Sequence, residues 1–179
     1  MRIALPLALA VLPACKDGVI TTIDVDGQAT TRVEGATILE TLVGDLGFES
    51  FVSMNLVESE ELQNQGVEPG DIRNARLVSF ELEAIAPDGA DLSFLQEMSI
   101  SVSSPDLEEQ TLAQAGGFPE GTSLVPFDVE DVDLTDYIVS ESLTIGTDVT
   151  GSRPEQTTDV QARYLIEVGV TLQGVKNNR

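Results

Sequence analysis

The chain has 179 residues, with 31 acids against 9 bases, no histidine and a formal charge of −22. That charge excludes a general nucleic-acid binder, which needs a basic footprint, and a polybasic membrane patch. Apolar residues make up 41%, too many for a disordered acidic tail, and the length suits one ordinary domain with a real core.

In chain order, Met1-Arg2 supplies one positive charge, and Ile3 to Leu12 is an uncharged apolar run. Pro13, small Ala14 and Cys15 follow, and polarity returns with Lys16-Asp17-Gly18. A charged start, a short apolar stretch and a small-residue cleavage site make a secretory signal. The run is too short for a transmembrane helix, which needs roughly 20 apolar residues. This start resembles bacterial lipoprotein precursors, whose signature is a leucine three residues before a cysteine and a small residue directly before it. Leu12, Ala14 and Cys15 match, with Pro13 between. The resemblance implies a signal peptide cut before Cys15 and covalent lipid on the Cys15 thiol and its new amine. Two or three acyl chains anchor stably where one does not. It implies a place in the cell envelope, anchored in the membrane through lipid. Lys16 stands where an Asp commonly holds such proteins at the inner membrane, which favours the outer membrane of a Gram-negative bacterium. The rest of the chain resembles only uncharacterised bacterial lipoproteins, and no site is carried over from them.

Val19, Thr21, Ile23 and Val25 alternate with polar positions and predict a strand ending at Asp26-Gly27, since Asp-Gly is a hairpin signal. Thr-rich Gln28 to Val33 would be the return strand. Thr37 to Leu46 reads either as a short helix or as a strand, with a loop and short helix favoured, and Phe48 to Val57 as a strand. Glu58 to Gln65 favours a surface helix, stopped by Gly66, and Pro69-Gly70 is a turn. Val78, Phe80, Leu82 and Ala84 alternate with polar residues as a half-buried strand closed by Pro87-Asp88-Gly89. Asp91 is placed to cap one turn over Leu92 to Leu95. Met98, Ile100 and Val102 predict a strand stopped at Pro105, and Asp106 to Gln114 is either an edge strand or a helical turn. Pro126 restricts any strand over Leu124 to Val129 to an edge. Asp133 to Tyr137 predicts a capped single turn, and Leu143, Ile145 and Val149 share one face of a strand.

The clearest signal comes last. Val160, Ala162, Tyr164, Ile166, Val168, Val170 and Leu172 occupy every second position. An alternation this long predicts a strand running the full height of a sheet, in its middle. Short alternating strands with turn signals between them predict an all-β fold, an antiparallel β-sandwich of immunoglobulin-like topology with one or two short surface helices. The expected organisation is a signal peptide over 1–14, a lipidated N-terminus and tether over 15–18, one sandwich domain over 19–174 and a polar tail over 175–179.

With no histidine and its only cysteine lipidated, the chain lacks Ser-His and Cys-His nucleophiles and histidine-based metal sites. A Ser–Lys pair would need Lys16 or Lys176, both near chain ends. The candidate metal ligands are Asp128, Glu130, Asp131, Asp133 and Asp136, five acids within nine residues, suited to calcium. The competing reading makes them solvated acids and caps, with Asp133 capping the turn that follows. Asp24-Val25-Asp26-Gly27 is a second acidic turn, without the acid that begins an EF-hand loop. Arg73, Arg76, Arg153 and Arg163 lie inside the domain, and Arg163 is expected to face a cross-strand acid. Three functions follow: a non-catalytic envelope module that binds or scaffolds a protein partner, a calcium-dependent adhesion module, or a hydrolase using carboxylates alone.

Overall fold

A computed structural model describes residues 21–36, 41–44, 59–140 and 143–171. Cys15, the signal peptide, the tether, the strand expected over Phe48 to Val57 and the polar tail lie outside the described residues.

Among the described residues nine strands form two antiparallel sheets. The strands are β1 (Thr21–Val33), β2 (Thr41–Gly44), β3 (Ile72–Ala86), β4 (Leu95–Ser104), β5 (Leu107–Gly116), β6 (Leu124–Pro126), β7 (Asp128–Val129), β8 (Thr144–Ser152) and β9 (Thr158–Val170). Among the described residues two α-helical turns, α1 (Glu60–Gln63) and α2 (Thr135–Ile138), and a 3-10 turn over Pro69–Asp71 join them. Sheet A runs β1-β9-β3-β6, and sheet B runs β2-β8-β4-β5-β7. The all-β sandwich with short helices is therefore the observed architecture. Its connectivity differs from the immunoglobulin-like one expected, in which several consecutive strands are hairpin neighbours within a sheet. Here, among the described strands, only β4 and β5 are consecutive and paired; the other direct connections cross between sheets or skip a neighbour, and β1 lies beside β9. That order is a jelly roll. Local alternation decides which face of a strand is buried, but not which strand it pairs with.

β9 sits between β1 and β3, as its long alternation requires. Val160, Ala162, Ile166, Val168 and Val170 are buried against the facing sheet's Leu95, Met98, Ile100, Val102 and Val149. β1 pairs with β9 along its whole length, from Thr21↔Val170 to Val33↔Thr158. The turn expected at Asp26-Gly27 does not form. Gly27 faces Tyr164 on the inner side, and a Cβ at Gly27 would collide with the tyrosine hydroxyl and ring. The glycine serves close approach within a strand, not a reversal.

Three other expectations change. The alternation of β3 changes phase at an irregularity between Leu77 and Ser79, so Leu77 and Phe80 are both buried while Val78 is turned outward. Over Thr37 to Leu46 the described residues form strand β2 rather than a short helix, because Thr41 to Gly44 pair with Ser152 to Val149. Residues Asp106 to Gln114 take the strand alternative, within β5. A matching irregularity there, opposite Ile100/Ser101, turns both Leu112 and Ala113 inward. Pro126 does sit on an edge strand; the chain then crosses to sheet B through Phe127, which is buried edge-on to Phe80 at 4.9 Å and to Phe118 at 6.3 Å.

The sandwich has two distinct ends. β1 begins at one end, beside Ile72 and Val170. The loops over 34–36, 87–94, 117–123 and 153–157 gather at the other. A 13-residue strand spans about 40 Å between them. At the first end α2 ties the sheets together: Leu134 N donates to Ala75 O of β3 at 2.8 Å, and the Tyr137 hydroxyl donates to Glu108 O of β5 at 2.6 Å.

Candidate binding faces

The outer face of sheet A sets three arginines, Arg32, Arg76 and Arg163, among six acids. Asp24 of β1 lies opposite Glu167 of β9, a like-charged pair, and Arg76 of β3 offsets it through a 2.7 Å bridge to Glu167. In the next charged row Arg163 reaches Glu83 at 2.8 Å and Glu81 at 3.6 Å. At the loop end Arg32 grips Asp159 with two parallel bonds of 2.7 and 3.0 Å. The hydrogen bond from Arg32, then its charge, holds the Asp159 carboxyl below the usual range. Arg163 thus meets cross-strand acids as its strand position predicts. Arg32 escaped the sequence reading because it lies in a Thr-rich stretch taken for a return strand.

The outer face of sheet B is built differently. β4 presents Glu97, Ser99, Ser101 and Ser103 there, alternating with buried Met98, Ile100 and Val102. Register places Asp148 of β8, Ser99 of β4, Gln114 of β5 and Asp128 of β7 in one row across four strands. Glu97 stands in the adjacent row, between Thr150 and Gly116. Together these residues line a shallow trough of about 430 Å³. None of the five strands of sheet B carries a lysine or arginine. The sequence signal for this is plain in retrospect: no Lys or Arg occurs between Arg76 and Arg153.

A second groove, about 470 Å³, lies among the far-end loops, with Asp88, Asp91, Ser93, Arg153 and Gln156 in its lining. Asp91 there caps a turn as expected, but the turn is not helical and Leu95 already opens β4. Asp91 accepts from the Ser93 hydroxyl at 2.6 Å and backbone at 3.0 Å, and from Gly121 N at 2.6 Å. These bonds, the Ser93 hydroxyl's first, hold its carboxyl below the ordinary range. The apolar void between the sheets, about 30 Å³ and lined by residues such as Ile100, Leu134 and Tyr164, is far below the roughly 300 Å³ that small-molecule sites begin at.

The five candidate metal ligands are spread over β7, the loop after it and α2. Asp128 faces the sheet B trough, and Glu130 accepts from the Gln114 amide at 3.0 Å. Asp133 accepts from Thr135 N and its hydroxyl, and those bonds, the hydroxyl's foremost, lower its pKa. Asp131 and Asp136 are exposed. Among the described residues no group of three or more acids is placed to hold a metal ion. Asp24 and Asp26 lie on the outer face of β1 rather than in a turn. The carboxyls whose pKa moves, Asp91, Asp133 and Asp159, all move down. That is the opposite of what a general acid at neutral pH requires.

No protein-family model matches the chain, and no curated protein matches it. Among solved structures it is similar to that described as "Crystal structure of decameric BFDV Capsid Protein", at 9% identity over 83% of this chain and 98% of that chain, with a TM-score of 0.42.

Proposed function

We propose that the protein is a lipid-anchored extracytoplasmic β-sandwich with a non-catalytic binding or scaffolding role in the cell envelope, held at the outer membrane of a Gram-negative bacterium through Cys15. The observation that carries this reading is where β1 starts. Thr21 follows Cys15 by six residues, a reach of at most about 20 Å. Thr21 is at the end of the sandwich opposite the loop cluster. An anchor at Cys15 therefore enters at the end away from the far-end loops, and among the described residues both outer sheet faces are exposed to a partner. The downward-shifted carboxyls and the lack of histidine favour binding over catalysis.

Mass spectrometry of the mature N-terminus tests this. The expected product begins at Cys15 and carries acyl chains, and Cys15→Ser moves the protein out of the membrane fraction. A free, unmodified Cys15 thiol in the mature protein would overturn the reading.

A further inference from the structure

We propose that the outer face of sheet B is a docking surface for an extended polypeptide segment bearing lysines or arginines, laid across strands β8, β4, β5 and β7. The inference goes beyond the anchor reading and does not rest on it: this face would engage the same partner on a soluble protein. Its failure and the anchor's failure are therefore read by separate experiments.

Charge complementarity is the first argument. Both outer faces carry acids, but on sheet A three arginines engage them, whereas on sheet B none does. Among the described residues no element covers this face and no cation reaches its acids.

Spacing is the second argument, and it selects the partner. Asp148 and Asp128 sit at opposite ends of a four-strand row. Three strand spacings separate them by about 14 Å. A calcium ion needs six to eight oxygens within roughly 2.6 Å, which acids so far apart do not supply. An extended chain rises about 3.4 Å per residue, so its residues i and i+4 span the same distance and present side chains to the same side. The residue between them, i+2, falls over the middle of the trough, where Glu97 stands in the neighbouring row.

Shape is the third argument. Gly116, which lines the trough, has no need to be glycine on conformational grounds, since its φ is not positive. Nor does packing demand it. A Cβ there would make only ordinary contacts, 3.5 Å from Gln96 O and 3.6 Å from the Glu97 side chain. What the missing side chain does provide is depth. Ser99 and Gln114 in the floor offer hydroxyl and amide groups to a peptide backbone.

The test uses the full chain and a fluorescein-labelled octapeptide of alternating arginine and serine, followed by anisotropy. Three variants are compared with the parent. E97Q/D128N/D148N removes the trough's charges and should weaken binding about eight-fold or more, at about two- to five-fold per exposed pair. G116V fills the trough without changing charge and should also weaken binding several-fold. D24N/D26N/D88N removes the same number of charges elsewhere and should stay within two-fold of the parent. Equal weakening by this last variant, or no effect of G116V, would show attraction to net charge alone and overturn the proposal. Spermine or calcium binding the trough as tightly as the peptide would overturn it in favour of a small polycation or a metal. Circular dichroism of each variant checks that the fold is kept.

Discussion

The two outer faces of this sandwich solve the same problem in opposite ways. Both belong to a strongly acidic chain, and both present carboxylates on every central strand. On sheet A four of the carboxylates, on Asp159, Glu167, Glu81 and Glu83, are bridged within the fold by Arg32, Arg76 and Arg163. On sheet B they alternate with serine and threonine and meet no cation. Exposed ion pairs are worth at most about 1 kcal/mol each, so the difference is not mainly one of stability. It is a difference in what each face leaves for a partner to satisfy. The hidden sides of the two sheets are alike in being apolar, and the contrast lies at the surface.

Several substitutions break or sharpen that contrast. The largest effect is expected from crowding the backbone where the sheets differ in close packing. A Cβ at Gly151 of sheet B would strike the backbone carbonyl of Phe94, which cannot move without breaking β4–β8 pairing. A Cβ at Gly27 of sheet A would strike the Tyr164 side chain, which can swing. Urea denaturation should show Gly151→Ala losing about 3 kcal/mol and Gly27→Ala about 1 kcal/mol. The reverse order would mean that the tyrosine over Gly27 is the more rigid obstacle.

Arg163→Gln should cost about 0.5–1 kcal/mol, because it leaves Glu81 and Glu83 facing each other uncountered. The loss should shrink in high salt, where screening weakens their repulsion; a salt-independent loss in melting experiments would point to packing of the arginine stem instead.

The Arg32–Asp159 pair predicts a pH effect. The folded-state pKa of Asp159 is depressed. Its contribution is therefore present above the unfolded carboxyl value near 4, and is lost as pH falls through the lower folded value. In Arg32→Gln the Asp159 carboxyl followed by NMR should titrate higher, back towards the ordinary range. An unmoved midpoint would mean that the arginine is not what depresses it.

The smallest expected change belongs to sheet B. E97Q/D128N/D148N should leave stability within about 0.5 kcal/mol of the parent, since among the described residues these side chains form no ion pairs that the substitution breaks. A loss of several kcal/mol would show these acids to be structural after all.

How much of this was legible in the sequence follows from the range of the forces involved. β9 was plain, because burial on one face of a strand writes itself as period-two alternation from Val160 to Val170. The local bonds of Asp91 and Asp133 were legible too, since each carboxylate bonds within two residues of itself, although Leu134 rather than Asp133 occupies the N-cap of α2. Gly27 misled, because Asp-Gly signals a turn locally while the reason for this glycine is Tyr164, 137 positions later. Strand order was equally hidden: β1 beside β9 joins the two ends of the described fold, and no local pattern encodes that choice. The sheet B trough lies between these cases. The cation-free interval from Arg76 to Arg153 is visible in the sequence, but it becomes a face only when register aligns Asp148, Ser99, Gln114 and Asp128.

The most direct measurement of the contrast between the faces is an amide chemical-shift map of the full chain titrated with the arginine–serine octapeptide. The account predicts shifts concentrated on Glu97 to Ser101, Ala113 to Gly116, Asp128 and Asp148 to Thr150, with β1, β3 and β9 unmoved. Shifts spread equally over both sheets, or centred on the arginine rows of sheet A, would contradict it.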